Sequence, residues 1–437
     1  MPMHDADTSS GERRPLRVWL ITIGEPLPTD PGGPRLLRTG IVAARMHARG
    51  HEVTWWTSNF DHQRKLVRST TPRSGSAPDG YRLELLAGHG YRSNVSLARI
   101  RNHREVARDF RSRAPHEPVP DIILCSYPTI ELCETALEYG RSRQVPVVLD
   151  LRDIWPDSFL NLLPAALRPL GRLPLRGMFD ASRRVLRDAD SIIGITEGLV
   201  QWALDRAGRP RRESDASFPL AYESRLPAPA DLERANKMWD ALGVSKASFT
   251  LCFFGTLGRQ FDIGTVLSAA RRLSGGQVRF VICGDGDRLA RYRRDAADLD
   301  NVLLPGWVDA ASIRALMDRS AAGLAPYFCV TDFKLSIPNK AIEYLAGGLP
   351  VVSCLTGELQ RLLDETGSGV TWTEGDPSSL VEAIEALRLA PDRQRRMADN
   401  AARAYRARFV ADVVYERLID HLAEVASRHT SALKAAH

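Results

Sequence analysis

One pattern constrains this chain more than any other. Short apolar runs end in glycine-bearing loops that feed segments of helical spacing, and this happens in two separate series. The first series opens with RVWLITI at residues 17–23, passes through the loop GEPLPTDPGGPR, and continues into helical spacing from Leu36 to Arg49. Gly50-His51 breaks that segment, and Glu52–Thr57 forms a second run. Asp121–Cys125, Val145–Leu151 and Ser191–Ile195 read as further strands, with helices over Thr129–Tyr139 and Ala181–Arg187. The second series starts at FTLCFFGTLG. It runs through a helix at Gly264–Leu273, the strand and loop VRFVICGDGD, a helix at Leu289–Ala297, a strand at Val302–Leu304 and a helix at Ala311–Ser320. Apolar runs of this length, separated by helices, are what a parallel sheet covered on both faces requires. The expected fold class is therefore α/β, two Rossmann-like lobes facing across a ligand cleft, followed by a long helical tail over Arg396–Arg428. A chain of 437 residues is too long for one core, which agrees.

The stretch TDFKLSIPNKAIEYLAGGLP, Thr331 to Pro350, is where chemistry is expected. It follows a buried strand at Ala321–Tyr327, reads as polar loop to Ser336, and opens a helix at Pro338-Asn339 that Gly347-Gly348 and Pro350 stop. A loop feeding a helix N-terminus offers unpaired N–H groups and the positive end of a dipole, which suits an anion such as a diphosphate. Glu343, one turn in and away from the apolar stripe, suits a vicinal diol such as a ribose. Taken alone, the same stretch also fits a plain strand–loop–helix unit with a solvated glutamate. The loop after the first strand lacks full G-x-G-x-x-G spacing, so a dinucleotide fingerprint is not present. Gly32-Gly33 there lets the backbone approach a ligand.

Composition narrows the class. No run of 18 apolar residues occurs, and MPMHDADTSSGERR has no apolar core, so neither a membrane span nor a secretory signal is expected. The six cysteines are scattered without a CxxC pair and read as reduced core residues, not as zinc ligands. The net charge of +6 is uneven, with 32 Lys+Arg against 26 Asp+Glu in residues 1–220 and 27 against 27 beyond. Arg92 to Arg113 holds seven arginines against Glu105 and Asp109, which suits a phosphorylated lipid or an anionic membrane surface, or a solvated helix. No aromatic interleaving accompanies the basic face, so nucleic acid is not an expected partner. The stretch RDIWPDSFLNLLPAALRPLGRLPLRGMF mixes leucines with Arg168, Arg172 and Arg176. It fits either a membrane surface or a cleft wall. His89 and His103 read as surface histidines.

Four ordered motifs carry a resemblance. GTLGRQFDIGTVLSAA, ICGDGD, LPGWV and SIPNKAIEYLAGGLPVV resemble the nucleotide-sugar domain of glycosyltransferase family 4, whose members are retaining and have the GT-B fold. PGGPRLLRTGIVAARMHARGHEVTWWTS resembles that family's opening loop and helix, and VPVVLDLRDIWPDS resembles its polysaccharide-biosynthesis branch. The resemblance covers about residues 17–415. The expected division is an acceptor-side lobe at 15–222, a linker with a short helix at 223–247, a nucleotide-sugar lobe at 248–410, and a C-terminal helix at 411–437 packing back on the first lobe.

Residue by residue, Glu343 matches the second glutamate of the family's E-x7-E pair, the one that holds the donor ribose. The first falls at Leu335, a departure shared by a branch with the P-[SN]-K signature that Pro338-Asn339-Lys340 fits. Ser336, Ile337, Pro338 and Asn339 would face the sugar and diphosphate. Gly255 opens the donor loop, Gly284 and Gly286 would pass close to the nucleotide, and Trp307-Val308 would border the base. Gly33 matches the glycine that approaches the diphosphate from the other lobe. The family's basic pair maps to Thr256 and Phe261, which leaves Arg259, with Lys340 in support, as the cation for the leaving diphosphate. Asp153 could orient the acceptor hydroxyl or take its proton, with Asp150 or Asp157 as alternatives and helix capping as the structural option.

The resemblance implies metal-independent transfer of a hexose or amino sugar, with no cofactor and no metal. The donor is a nucleotide sugar, with UDP ahead of GDP as its nucleotide. The implied acceptor is a polyprenyl-diphosphate-linked sugar or polysaccharide intermediate, and the location is cytoplasmic, peripheral on the inner face of the cell membrane. A soluble-acceptor transferase, a nucleotide-sugar epimerase on the same fold and a non-catalytic binding subunit stand as alternatives.

Overall fold

The computed structural model describes residues 14–68, 74–161, 163–223 and 226–436; the expected N-terminal tail at 1–13 lies outside them. In chain order the first strands are β1 (Arg17–Ile21), β2 (Glu52–Ser58), β3 (Phe60–Asp61), β4 (Leu66–Val67), β5 (Ser74–Ser76), β6 (Arg82–Leu86), β7 (Ile122–Tyr127), β8 (Val147–Leu151), β9 (Ser191–Gly194) and β10 (Ala216–Ser217). All but the small antiparallel β3–β4 hairpin join one sheet in the order β10-β9-β8-β7-β1-β2-β6-β5. Val18 of β1 pairs with Val53 of β2 and Ile122 of β7, all parallel. The central strands are apolar and buried along nearly their whole length, as strands covered on both faces must be.

The second sheet is built from β11 (Phe249–Phe254), β12 (Val278–Cys283), β13 (Val302–Gly306), β14 (Ala322–Ala325), β15 (Val351–Ser353) and β16 (Gly369–Thr371). Its order is β13-β12-β11-β14-β15-β16, parallel throughout. Each sheet runs outward from its first strand in one direction and then restarts in the other. The reversal falls between β1 and β7 in the first sheet and between β11 and β14 in the second. At such a point the loops at the carboxyl ends diverge and leave a crevice.

Two compact units divide the chain differently from the expected boundary near 222. One holds the described parts of Met1–Asp150, Arg183–Ile192 and Leu418–His437, and the other holds Leu151–Ser182 and Ile193–Arg417. The reason lies in side chains that come after β8 and β9. Asn161 Nδ2 donates to Asp332 Oδ1 at 2.9 Å, and Thr196 Oγ1 donates to the Leu335 carbonyl. The tail is also two helices, Pro391–Arg408 and Ala411–Ala436, not one. Beyond Leu418 the last helix belongs to the first unit, where Asp420 pairs with Arg49 at 2.9 Å and the His429 ring contacts the Gln144 carbonyl at 3.0 Å.

The expected linker at 223–247 is only partly one. A 13-residue helix, Pro229–Ala241, occupies its middle and buries Ala235 and Trp239 in the core of the second unit. Trp239 Nε1 donates to the Ser312 carbonyl at 2.8 Å. A fully buried indole with its N–H satisfied anchors an element, so the charge and proline content of this stretch belong to the helix's outer face and its start. The basic stretch after β8 is broken into short helices, Asp157–Leu160 and Arg168–Gly171, before the longer helix Arg176–Asp188.

Candidate functional site

Two segments, one leaving β11 and one leaving β14, frame the crevice of the second sheet. After Phe254 the chain turns at Gly255, φ +150, into the loop that carries Arg259. After Ala325 it passes Tyr327, makes a short helical turn at Thr331–Lys334 where polar loop was expected, and enters the helix Asn339–Ala346. Phe261 and Tyr327 form an isolated antiparallel bridge with ring centres 4.6 Å apart, which ties the two segments together.

Pro338 stands at the cap of the Asn339–Ala346 helix, and no side chain caps it. The free N–H groups and positive dipole end of its first turn are thus available to an anion. Asn339 is exposed, Ser336 and Ile337 are half-buried, and Ser336 Oγ donates to the Phe333 carbonyl at 3.3 Å. Glu343 is half-buried one turn in. Its charge adds to burial in pushing the Tyr327 phenol upward, so the two groups are neighbours.

Lys340 departs from the expected role. Its ammonium is buried, donates to the Phe254 carbonyl at the end of β11, and lies 4.5 Å from the centre of the Phe253 ring. Burial pulls it down to about 8, opposed by the Glu343 carboxylate. The side chain therefore acts inward as a brace between the helix and the donor loop. Arg259, on the loop leaving β11, is exposed and outside every salt bridge among the described residues.

The glycines of the two loops also have a structural duty. A Cβ on Gly284, φ +135, would stand 1.8 Å from the Gly255 carbonyl oxygen. One on Gly286, φ +152, would stand 2.5 Å from that of Leu257. Leu257 N–H donates to Asp285 O at 2.8 Å, so the loops after β11 and β12 interlock backbone to backbone. Their bare faces meet protein. Next to them, Trp307 is 75% exposed just beyond β13, and Val308 is half-buried beside it.

Leu335, standing where a glutamate was expected, packs against Ile154, Ile195 and Leu199. Asp153 Oδ1 accepts from Ile154 N–H at 2.7 Å and from Ser158 Oγ at 2.6 Å, while the short helix Asp157–Leu160 has Pro156 at its start and no side-chain cap. The alternatives are committed too. Asp150 is fully buried against Arg38, with Arg38 Nε at 3.1 Å, and Asp157 pairs with Arg206. A residue that sequence reasoning missed stands beside Asp153. Asp332 is raised to about 6, by burial first and then by the Asp153 charge, and is held by Ser158 and Asn161. Its signal was only an acidic residue three before the leucine that replaces the glutamate. Gly33 lies in the other unit, at φ +57 with nothing within 4 Å of where a Cβ would be.

Two family models match the chain. "Glycosyl transferase 4-like domain" covers residues 37–214 and "Glycosyl transferases group 1" covers residues 248–388. The chain belongs to glycosyltransferase family 4. Among curated relatives, the probable glycosyltransferase WbjE of Pseudomonas aeruginosa is 22% identical over 243 residues, 55% of this chain and 59% of that protein. The amylovoran biosynthesis glycosyltransferase AmsK of Erwinia amylovora is 30% identical over 131 residues, 29% of this chain and 32% of its own length. The chain thus spans less than two thirds of the length of either relative. Solved structures share the GT-B fold. A sucrose-phosphate synthase of Thermosynechococcus elongatus superposes with TM-score 0.69 at 16% identity, covering 97% of this chain and 100% of that one. HepE of Anabaena, solved with UDP-glucose, gives 0.62 at 15% identity over 94% and 100%. The lipopolysaccharide glycosyltransferase WaaG gives 0.62 at 14% over 93% and 99%. Among the described residues of this family 4 chain, no helix is long and apolar enough to cross a membrane.

Proposed function

We propose that this chain is a glycosyltransferase that moves a hexose or amino sugar from a nucleotide diphosphate sugar to an acceptor hydroxyl with retained configuration. The observation that carries the reading is the crevice between β11 and β14, where an uncapped helix start, exposed Arg259 and half-buried Glu343 converge at a sheet's switch point. The diphosphate leaves against the helix start and Arg259, through charge-assisted hydrogen bonds that strengthen as negative charge develops. Glu343 accepts from the ribose hydroxyls, and exposed Trp307 stacks on the base. UDP is the preferred nucleotide, in keeping with the UDP-glucose held by HepE.

Lys340 serves this site indirectly, by fixing the loop after β11. Asp153 and Asp332 stand near the donor end, where the second carboxylate supplies a polar contact that Leu335 does not. No metal or cofactor enters the scheme, since protein groups balance the leaving charge. The acceptor is a lipid-linked or polysaccharide intermediate, in keeping with the amylovoran biosynthesis in the name of AmsK, and the enzyme works in the cytoplasm at the membrane's inner face. The test is incubation with labelled UDP- and GDP-sugars, with and without a lipid extract. Transfer of label into lipid with the donor's anomeric configuration is expected. An epimerised donor formed without acceptor would replace this reading with the isomerase alternative.

A further inference from the structure

Within the first unit, the β3–β4 hairpin and the start of the helix Leu97–Arg113 gather nitrogen-bearing side chains around Tyr91. Lys65 closes the hairpin at φ +58, a left-handed conformation that side chains other than glycine adopt rarely and at a cost. Its ammonium lies 4.9 Å from the centre of the Tyr91 ring, 3.3 Å from His62 Nδ1 and 2.5 Å from Asn94 Oδ1. The Arg99 guanidinium is 5.5 Å from the same ring centre and donates to the Asn94 carbonyl at 2.9 Å. His62 Nδ1 is 2.6 Å from the Tyr91 hydroxyl.

The acceptors that hold Lys65 are neutral. Asp61 is the nearest acid acting on it, and that carboxylate already accepts from the N–H groups of Gln63 and Arg64 at 2.8 and 3.0 Å. Burial, then the charges of Lys65 and Arg99, push His62 down to about 4. Burial, then Arg99 and His62, push His103 down to about 3, and His103 is a buried residue, not the surface histidine expected. Burial and Arg99 likewise depress Lys65. Two cations share one aromatic ring while the imidazoles beside them are kept neutral, an arrangement that an incoming anion relieves.

The same group borders the glycine loop after β1. A Cβ on Gly24 would lie 3.7 Å from His62 Cβ. Arg64 donates to the Pro31 carbonyl at 2.6 Å and lies 3.7 Å from where a Cβ of Gly32 would be. That loop leads from β1, at the switch point of the first sheet.

We propose that Lys65, Arg99 and His62 bind a phosphate group, Lys65 and Arg99 as cations and His62 through its ring N–H. That this phosphate belongs to the acceptor rests on the transferase reading above; the anion site itself does not. The phosphate could come from a polyprenyl phosphate in a membrane or from a soluble sugar phosphate, and both present the same dianion.

The experiment titrates inorganic pyrophosphate, with UDP at saturation to fill the donor crevice, into the full chain and into Lys65→Met, Arg99→Met and a control, Arg101→Met, whose guanidinium pairs with Glu105 on the exposed face. Thermal unfolding is recorded for each. Affinity should fall at least about tenfold in the first two variants and hold in the control. Should Arg99→Met fail to fold, Lys65→Met decides alone, since Lys65 sits in a surface turn. Phosphatidylcholine vesicles with and without polyprenyl phosphate, and glucose 6-phosphate in solution, then separate the two sources. Lys65-dependent binding in either arm supports the site and names its ligand. Equal pyrophosphate affinity in wild type and a folded Lys65→Met overturns it. UDP only occupies the donor crevice and dependence on Lys65 reads this site, so loss of the donor reading and loss of this site are separate results.

Discussion

Lys340 donates from its buried ammonium to the backbone carbonyl of Phe254, joining the first turn of one helix to the last residue of β11. A sequence motif that looks like a solvent-facing phosphate ligand is here a strut beneath the donor loop. The consequence is a pH signature. In the folded chain this lysine is drawn down to about 8 by burial, against 10.5 for a free side chain. Between those values the unfolded chain binds the extra proton, so this group makes stability rise with pH across that window. Lys340→Met removes the effect. The stability of wild type minus variant, from urea unfolding, should increase by on the order of 2 kcal/mol between pH 7.5 and 10. A difference that stays flat with pH would place the ammonium in water.

Gly284→Ala and Gly33→Ala should behave as opposites. The first drives a Cβ into the Gly255 carbonyl at 1.8 Å and is expected to cost at least about 3 kcal/mol or to prevent folding of the second unit. The second meets open space and costs only about 1–2 kcal/mol for its left-handed backbone. Denaturant midpoints check both. Comparable losses would mean that the two loops after β11 and β12 are not locked together.

Asp332 carries a second pH signature, of the other sign. Burial and the Asp153 charge raise it to about 6 from 3.8. Between those values the folded chain binds the extra proton, so stability from this group falls as pH rises through the window and stays low above it. Asp332→Asn keeps a side-chain oxygen for Asn161 and loses the charge. The variant should gain over wild type at pH 7, and that gain should vanish toward pH 4. Unfolding midpoints that track each other at both values would show that folding does not raise Asp332.

How much of this was legible in sequence depends on what each segment buries. The strands of both sheets could be read because parallel strands covered on two faces are unbroken apolar runs, as in FTLCFF and VRFVIC. The helix over Asn339–Ala346 could be read because proline and a glycine pair mark its ends. Pro229–Ala241 could be read only as a short helix inside a linker, since only Ala235 and Trp239 are buried along thirteen residues. The β3–β4 hairpin has two residues to a strand and left no periodicity to find. His103 falls on the buried stripe of its helix with Asn102, Val106, Ala107 and Phe110, but charged residues interleave that stripe and two of its members are polar, so the spacing is hard to see in sequence. The sequence also carries Asp332, but nothing in spacing says that Asn161, 171 positions earlier, returns to hold it.

The central claim is that the crevice between β11 and β14 grips a nucleoside diphosphate, with Glu343 on its ribose. Calorimetric titration of UDP into wild type and Glu343→Ala tests it most directly. Loss of hydrogen bonds to a charged acceptor is worth about 1.5–3 kcal/mol, so the variant should bind roughly 10- to 100-fold more weakly while unfolding at the same denaturant concentration. UDP binding of equal strength in both proteins, or none in either, would contradict it.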